Sequence, residues 1–282
     1  MAKGYALHIG LNKVDPTHYA KSWEGKLRGC ENDARAMAHI SSSLGYQRVE
    51  TLLTKDASLL NFQHRMVEYS KWLQSGDIFL LTFSGHGGQK KDYNGDEGES
   101  DMDQCWCFYN GIIIDDELYE LWKYFAKGVR ILVISDSCHS GTIIRDLNNG
   151  KLKFANKPSQ LQQGMRIRTL SSSRSRAGNY HQQQLLTNSK KQETCEENVQ
   201  ASVRLISACG DQQRAKDGAD HGRFTKALLE VWNDGAFEGN YDSFVSQIQL
   251  TINQRKQLPN HAALGKYKKH IEAFRKEKPF TI

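Results

Sequence analysis

VRILVISDSCHSG, residues 129–141, sets the reading of the whole chain. Residues 129–134 are an apolar run rich in β-branched side chains, the mark of a strand covered on both faces. The run passes directly into Ser135, Asp136, Ser137, Cys138, His139, Ser140 and Gly141, a polar turn that presents a thiol. Residues 77–83, DIFLLTF, repeat this grammar and end in Ser84, Gly85, His86, Gly87 and Gly88. Two buried strands therefore end in polar loops, one carrying a cysteine and the other a histidine. In open α/β sheets, sites form beyond the carboxyl ends of the strands. The expected chemistry is that of a thiol nucleophile served by an imidazole.

Composition narrows the class. The 282 residues suffice for one large domain or two small ones with a full core. A hydrophobic fraction of 38 % beside 25 % charged residues describes a globular protein, and no apolar run approaches a membrane span. MAKGYALHIG lacks a signal-peptide apolar core, so a cytoplasmic address without a membrane partner is expected. Cys30, Cys105, Cys107, Cys138, Cys195 and Cys209 show no paired C-x-x-C spacing and read as free thiols. The formal charge is +6, and residues 151–200, with nine Lys/Arg against three Glu, hold all of that excess. Basicity confined to one segment does not support a nucleic-acid footprint over the whole protein.

Taken in order, residues 5–11 read as a strand whose His8 is expected to be packed and hydrogen-bonded rather than catalytic. After a polar loop to about residue 26, apolar spacing predicts a helix over 27–44, with Asn32 or Asp33 near its start. A strand at 49–53, a helix at 58–73 and the strand at 77–83 follow, and residues 90–103 form a loop dense in carboxylates. DDELYELWKYFA, from Asp115, is a helix whose acidic first turn suits the helix dipole. Beyond residue 147 the periodicity dissolves until a buried strand at 203–208, then helices at 224–233 and 241–255 and a tail from 273 to 282. Strands alternating with helices of this length imply parallel βαβ crossovers. The expected fold is a three-layer α/β/α sandwich with a mostly parallel central sheet and helices on both faces. A structureless connector at 148–200 within a compact domain is unusual and is read as functional.

A cysteine is inert as a thiol and reactive as a thiolate, so Cys138 needs a base beside it. His86 has the right type and position. His139 competes, but adjacent residues normally point apart. The amides of Gly87 and Cys138 are candidates for an oxyanion hole, the element that usually contributes most in acyl transfer. If Asp136 and Cys138 keep strand-like alternation, their side chains share a face. Asp33 taken alone reads equally well as a helix cap.

With these residues in place, the chain resembles the metacaspases and their prokaryotic relatives, in the caspase-like clan of cysteine peptidases. LRGCENDARAM (27–37), FSGHGGQ (83–89), the acidic loop, IDDEL (114–118), SDSCHSG (135–141) and SACGDQQRA (207–215) carry the resemblance, in family order over nearly the full length. The 52-residue step from His86 to Cys138 also suits the caspase layout. The resemblance implies a His86–Cys138 dyad and an acidic S1 pocket of Asp33, Asp136 and Ser84 that takes Arg or, second, Lys. A carboxylate pair matches a guanidinium fork, though a nearby carboxylate also raises a thiol's pKa. It implies a large-subunit-like part at 1–147, a processing connector at 148–200 and a small-subunit-like part at 201–282. The connector offers Arg166, Arg168, Arg174, Arg176, Lys190 and Lys191 to an enzyme of that preference or to an activating protease. Asp101, Asp115 and Asp116 match the family's calcium ligands, but Arg145 stands where another acidic ligand is expected, with Asp146 displaced by one. Calcium activation is therefore in doubt, and no cofactor is expected to be required.

The partners expected are protein or peptide substrates with a basic P1 residue, acting on a monomer, in a stress, cell-death or defence pathway. The rival from another class is a catalytically silent caspase-like scaffold, against which the intact His86 and Cys138 count. Nucleic-acid binding through residues 151–200 would show itself as strongly salt-dependent association.

Overall fold

The computed structural model describes residues 1–19, 22–91, 102–138, 198–209, 215–253 and 257–282. Its main sheet has six strands in the order β2 (Arg48–Leu53), β1 (Gly4–Gly10), β3 (Ile78–Ser84), β7 (Arg130–Asp136), β8 (Ser202–Ser207) and β9 (Asn260–Leu264). The first five are parallel and β9 closes the edge antiparallel. The expected mixed, mostly parallel sheet is thus the one observed.

Alternation along the central strands sorts the two faces. Phe79, Leu81, Phe83, Ile131 and Val133 point to one side, where they pack on Phe62, Met66 and Tyr69 of α2 (Leu59–Trp72) and Trp122 of α3 (Asp115–Trp122). Ile78, Leu80, Leu132 and Ile134 point to the other, against Met37 and Ile40 of α1 (Cys30–Ser43). On that side they also meet Phe224 and Leu228 of α4 (Arg223–Trp232), Phe244 of α5 (Tyr241–Ile252) and Phe274 of α6 (Lys268–Lys276). Helices therefore cover both faces.

A second sheet was not expected. β4 (Gly87–Lys91), β5 (Met102–Phe108) and β6 (Gly111–Ile114) form an antiparallel sheet that starts directly after His86. GGQKK carries no apolar alternation, so its strand character comes from pairing with β5 rather than from its own pattern. Trp106 of β5 ties this sheet to the main one: its ring stacks on Phe83 at 4.5 Å, and its Nε1–H donates to Ser135 Oγ at 3.0 Å.

The end of the chain is also more than a tail. Residues 260–264 and 268–276 are a strand and a helix, and beyond them Phe280 is fully buried. Its amide donates to Tyr241 Oη at 3.2 Å, and its carbonyl accepts from Tyr46 Oη at 3.0 Å. The single buried apolar residue of α6, Phe274, explains why its charged sequence did not announce a packed helix.

His8 is structural, as read. Fully buried in β1, it bonds Thr82 Oγ1 through Nδ1 and Ser41 Oγ through Nε2, both at 2.9 Å. Burial lowers its pKa to about 3, so the ring is neutral. Cys30, Cys105, Cys107, Cys138 and Cys209 are free thiols; Cys195 lies outside the described residues. Among the described residues no helix is long and apolar enough to cross a membrane.

Candidate active site

The sheet register places the site. Gly10, Ser84 and Asp136 are neighbours at the carboxyl ends of β1, β3 and β7, so the loops that follow β3 and β7 leave the sheet side by side. Gly85 N–H donates to Asp136 O at 3.3 Å across that boundary. The two loops then meet at Gly87. A Cβ built on Gly87 would lie 1.9 Å from the carbonyl oxygen of Cys138, so only a glycine allows this approach. His86 and Cys138 flank the junction.

His86 is held from three sides. Its Nε2 lies 3.0 Å from the carbonyl of Gly25, and since a carbonyl only accepts, Nε2 carries the proton. Nδ1 is then the basic nitrogen of the neutral ring. Trp23 meets the imidazole edge-on, centroids 4.6 Å apart, and the His86 carbonyl accepts from Cys107 N–H at 2.9 Å. Burial lowers the His86 pKa, while the Gly25 carbonyl and the Asp217 charge pull it back up. Trp23 and Gly25 belong to the loop before α1, and nothing in its polar sequence marked them. Replacing Trp23 with Ala should rehydrate the ring. The pKa then rises, and the acid limb of the kcat/KM–pH profile moves to higher pH. A profile that keeps its acid limb in place would show that Trp23 does not set the state of His86.

Cys138 is half-buried, with Sγ 3.7 Å from the carbonyl oxygen of Ala215. Its loop is fastened from below: Ser137 Oγ and Ser135 Oγ are 3.0 Å apart, and Cys209 Sγ–H donates to Ser137 O at 3.6 Å. β7 ends at Asp136, so the expected alternation does not continue to Cys138. Asp136 turns instead toward α4, where its Oδ2 accepts Thr225 N–H at 3.1 Å and Thr225 Oγ–H at 2.8 Å. His139 lies outside the described residues.

Asp33, Ser84 and Asp136 come together around one small cavity. Asp33 sits inside α1 and does not cap it. Its Oδ2 accepts Ser84 Oγ–H at 2.7 Å, its Oδ1 accepts His221 Nδ1–H at 2.9 Å, and Gly222 N–H reaches both oxygens at 3.2 Å. Gly222 is wedged between the two carboxylates, for a Cβ there would fall 2.3 Å from Asp136 Oδ2 and 3.1 Å from Asp33 Oδ2. Burial and the neighbouring Asp33 charge push Asp136 up to about 7. Burial raises Asp33 as well, against the pull of its hydrogen bonds. His221, Gly222 and Thr225 were missed in the sequence; a His-Gly pair opening a helix was the signal available.

The remaining expected site residues are placed less fully. Asp115 is fully buried in the first turn of α3, with Oδ1 accepting Asp116 N–H at 3.2 Å, while Asp101 lies outside the described residues. Among the described residues no three His, Cys, Asp or Glu side chains cluster as a metal site. Arg166, Arg168, Arg174, Arg176, Lys190 and Lys191 also lie outside them.

Comparison with known proteins agrees with this architecture. The family model described as Caspase domain, of peptidase C14, matches residues 3–269. The chain belongs to the caspase-domain family. Among curated relatives, Metacaspase-1 of Ajellomyces capsulatus is 32 % identical over 184 residues, 58 % of this chain and 49 % of that one. Metacaspase-1 of Saccharomyces cerevisiae is 36 % identical over 155 residues, 49 % and 34 % of the two chains. The match therefore spans half or less of these relatives' length. Among solved structures, protein GSU0716 from Geobacter sulfurreducens is 40 % identical with a TM-score of 0.78, covering 99 % of this chain and 98 % of that one. Caspase-1 from Spodoptera frugiperda, at 10 % identity and a TM-score of 0.53, shares the fold over 95 % of this chain and 90 % of its own. The family model thus spans all six strands of the central sheet and the helices on both faces up to the start of α6.

Proposed function

We propose that this caspase-domain protein is a cysteine endopeptidase that cleaves after Arg and, second, after Lys. The observation that carries the reading is the junction at Gly87, which sets the Cys138 loop against the His86 loop over a pair of buried carboxylates. In the acylation half, His86 Nδ1 takes the Cys138 proton and the thiolate adds to the substrate carbonyl carbon. The oxyanion falls to the amides of Gly87 and Cys138. The imidazolium then protonates the leaving amine as the C–N bond breaks. In the second half, His86 deprotonates a water that attacks the thioester, and the proton returns to sulfur as the acid leaves. Asp33 and Asp136 receive the basic P1 side chain, Arg best because its fork addresses two carboxylates at once.

The basic connector supports a second element of the proposal: cutting at Arg166, Arg168, Arg174, Arg176 or Lys190–Lys191, by this enzyme or another, arms the site. Calcium through Asp101, Asp115 and Asp116 is not needed by any step above. A cytoplasmic monomer acting in a cell-death or defence response completes the reading. One set of proteins tests it. Wild type should hydrolyse an Arg-terminated reporter peptide, cut the Lys peptide more slowly and leave the Asp peptide intact, and Cys138→Ala should hydrolyse none. N-terminal sequencing of fragments should show cuts after the connector's basic residues in wild type and not in Cys138→Ala if processing is autocatalytic. Efficient cleavage after Asp would overturn the S1 assignment, and turnover by Cys138→Ala would overturn the nucleophile.

A further inference from the structure

Residues 215–222 run from the nucleophile to the carboxylate pair and are fastened along their length. Ala215 offers its carbonyl to Cys138 Sγ at 3.7 Å. The Asp217 carboxylate accepts the amides of Arg28 and Gly29 at 2.8 and 3.1 Å, at the foot of α1. Asn32 Nδ2–H donates to Asp220 O at 3.0 Å, and His221 and Gly222 then both bind Asp33. The segment therefore lies over the two places a substrate must reach, the thiol and the carboxylate pair.

Closed in this way, the carboxylate pair has no room for a ligand. Asp33 is 1 % exposed and Asp136 6 %. The cavity they line with Ser84 and Thr225 is about 10 Å³, room for about one water and far too little for a guanidinium on its stem. Both Asp33 oxygens are already engaged. The Gly222 donor is a backbone amide and the Ser84 hydroxyl belongs to a side chain buried at the end of β3, whereas the His221 side chain is 29 % exposed. Of the donors on Asp33 among the described residues, the imidazole is the one whose side chain already reaches solvent and can swing out into it.

We propose that His221 is the resident occupant of the basic-residue pocket. Its imidazole holds Asp33 in the unliganded enzyme, and a substrate's basic side chain takes that carboxylate over as the imidazole swings out to solvent. The inference rests on the reading of Asp33 and Asp136 as the S1 pair. His221 is a positioning residue, since it acts through Asp33 and touches no reacting atom. An apolar side chain cannot replace the hydrogen bond that Asp33 would lose, so the imidazole keeps the pocket shut to apolar residues. When opening precedes binding, the apparent dissociation constant is the intrinsic one divided by the open fraction. Removing the occupant therefore strengthens every cationic ligand by one common factor, whatever its shape.

That common factor is the measurement. In full-length Cys138→Ala protein, calorimetry gives the affinity of agmatine and of cadaverine, which carry the head groups of Arg and Lys. Adding His221→Ala should tighten both about tenfold and by the same ratio. His221→Gln, which can still donate to Asp33, should stay within about threefold of the parent. His221→Arg, whose tethered guanidinium would fill the pocket, should weaken agmatine at least about tenfold. With Cys138 restored, the His221→Ala change should appear in KM rather than kcat. Unchanged or weaker amine binding by a folded His221→Ala protein overturns the occupant role. If that variant does not fold, equal agmatine affinity in His221→Gln and His221→Arg overturns it. An outcome in which the parent binds agmatine and His221→Ala binds it no better sinks this inference alone. Failure of parent and variants to bind either amine sinks the S1 reading, and this inference with it.

Discussion

Asp136→Asn is expected to make the protein more stable at pH 8 and nearly useless against Arg peptides. Asp136 is buried against α4 and faces the charge of Asp33, which together push its pKa to about 7. The folded pKa thus lies above the ordinary unfolded value, so the stability associated with this group is fully present below about pH 4 and is lost as pH rises through about 7. At 1.36 kcal/mol per unit, the ionised form costs up to about 4 kcal/mol at pH 8. Asparagine keeps a carbonyl for the Thr225 amide and hydroxyl and removes the charge. The melting temperature at pH 8 should therefore rise by about 4 °C or more, with little change at pH 4. Cleavage after Arg should fall at least about 100-fold, because the guanidinium loses half of its fork partner. In the wild type, KM for an Arg peptide should fall as pH rises through about 7, as Asp136 ionises. An Asn variant that is less stable at pH 8, or that still cuts after Arg, would show that Asp136 serves the fold rather than the substrate.

Gly87→Ala is expected to abolish activity by a different route. The new methyl group would start 1.9 Å from the Cys138 carbonyl oxygen, and the neighbour it strikes is backbone, which cannot rotate away. The nucleophile loop must shift, at a cost of about 1–3 kcal/mol in overpacking. A displacement of about 1 Å between reacting groups costs on the order of 100-fold in rate. The expected result is a folded protein, slightly less stable, whose kcat/KM is at least about 100-fold lower. Normal turnover by Gly87→Ala would mean that the loops do not pack this way in the working enzyme. Gly88→Ala is the control: among the described residues its Cβ would meet only Cys105 Sγ, at 3.2 Å.

The parts of this site that could be read from the sequence are those fixed by strand ends. DIFLLTF and VRILVIS announce buried strands, and parallel neighbours of equal length bring their terminal residues into register, which is why Ser84 and Asp136 adjoin. The same reasoning does not reach one step further: strand geometry stops at Asp136, so alternation cannot place the Cys138 side chain. Gly25 and Trp23 reach His86 through a loop whose path is set by distant partners, such as Tyr19 donating to Gly111 O at 2.6 Å. No local pattern encodes that. His221 was overlooked for a similar reason: its meaning lies in Asp33, 188 residues away. β4 and α6 were missed because each carries little apolar pattern of its own and is held by what it packs against.

The order of strands has one more consequence. The chain leaves β7 after Asp136, passes through the basic connector and returns as β8, which adds to the edge of β7 and is itself flanked by β9. α4 then docks on Asp136 and α1 from the far side of that connector. Severing the chain between β7 and β8 therefore leaves two polypeptides sharing one sheet, β2-β1-β3-β7 from one and β8-β9 from the other, joined along the β7–β8 ladder and by the docking of α4. Such a break is invisible to the mass of the particle in solution and visible in full once it is denatured. What it gives the molecule is two new chain ends, one following Cys138 and the other preceding β8.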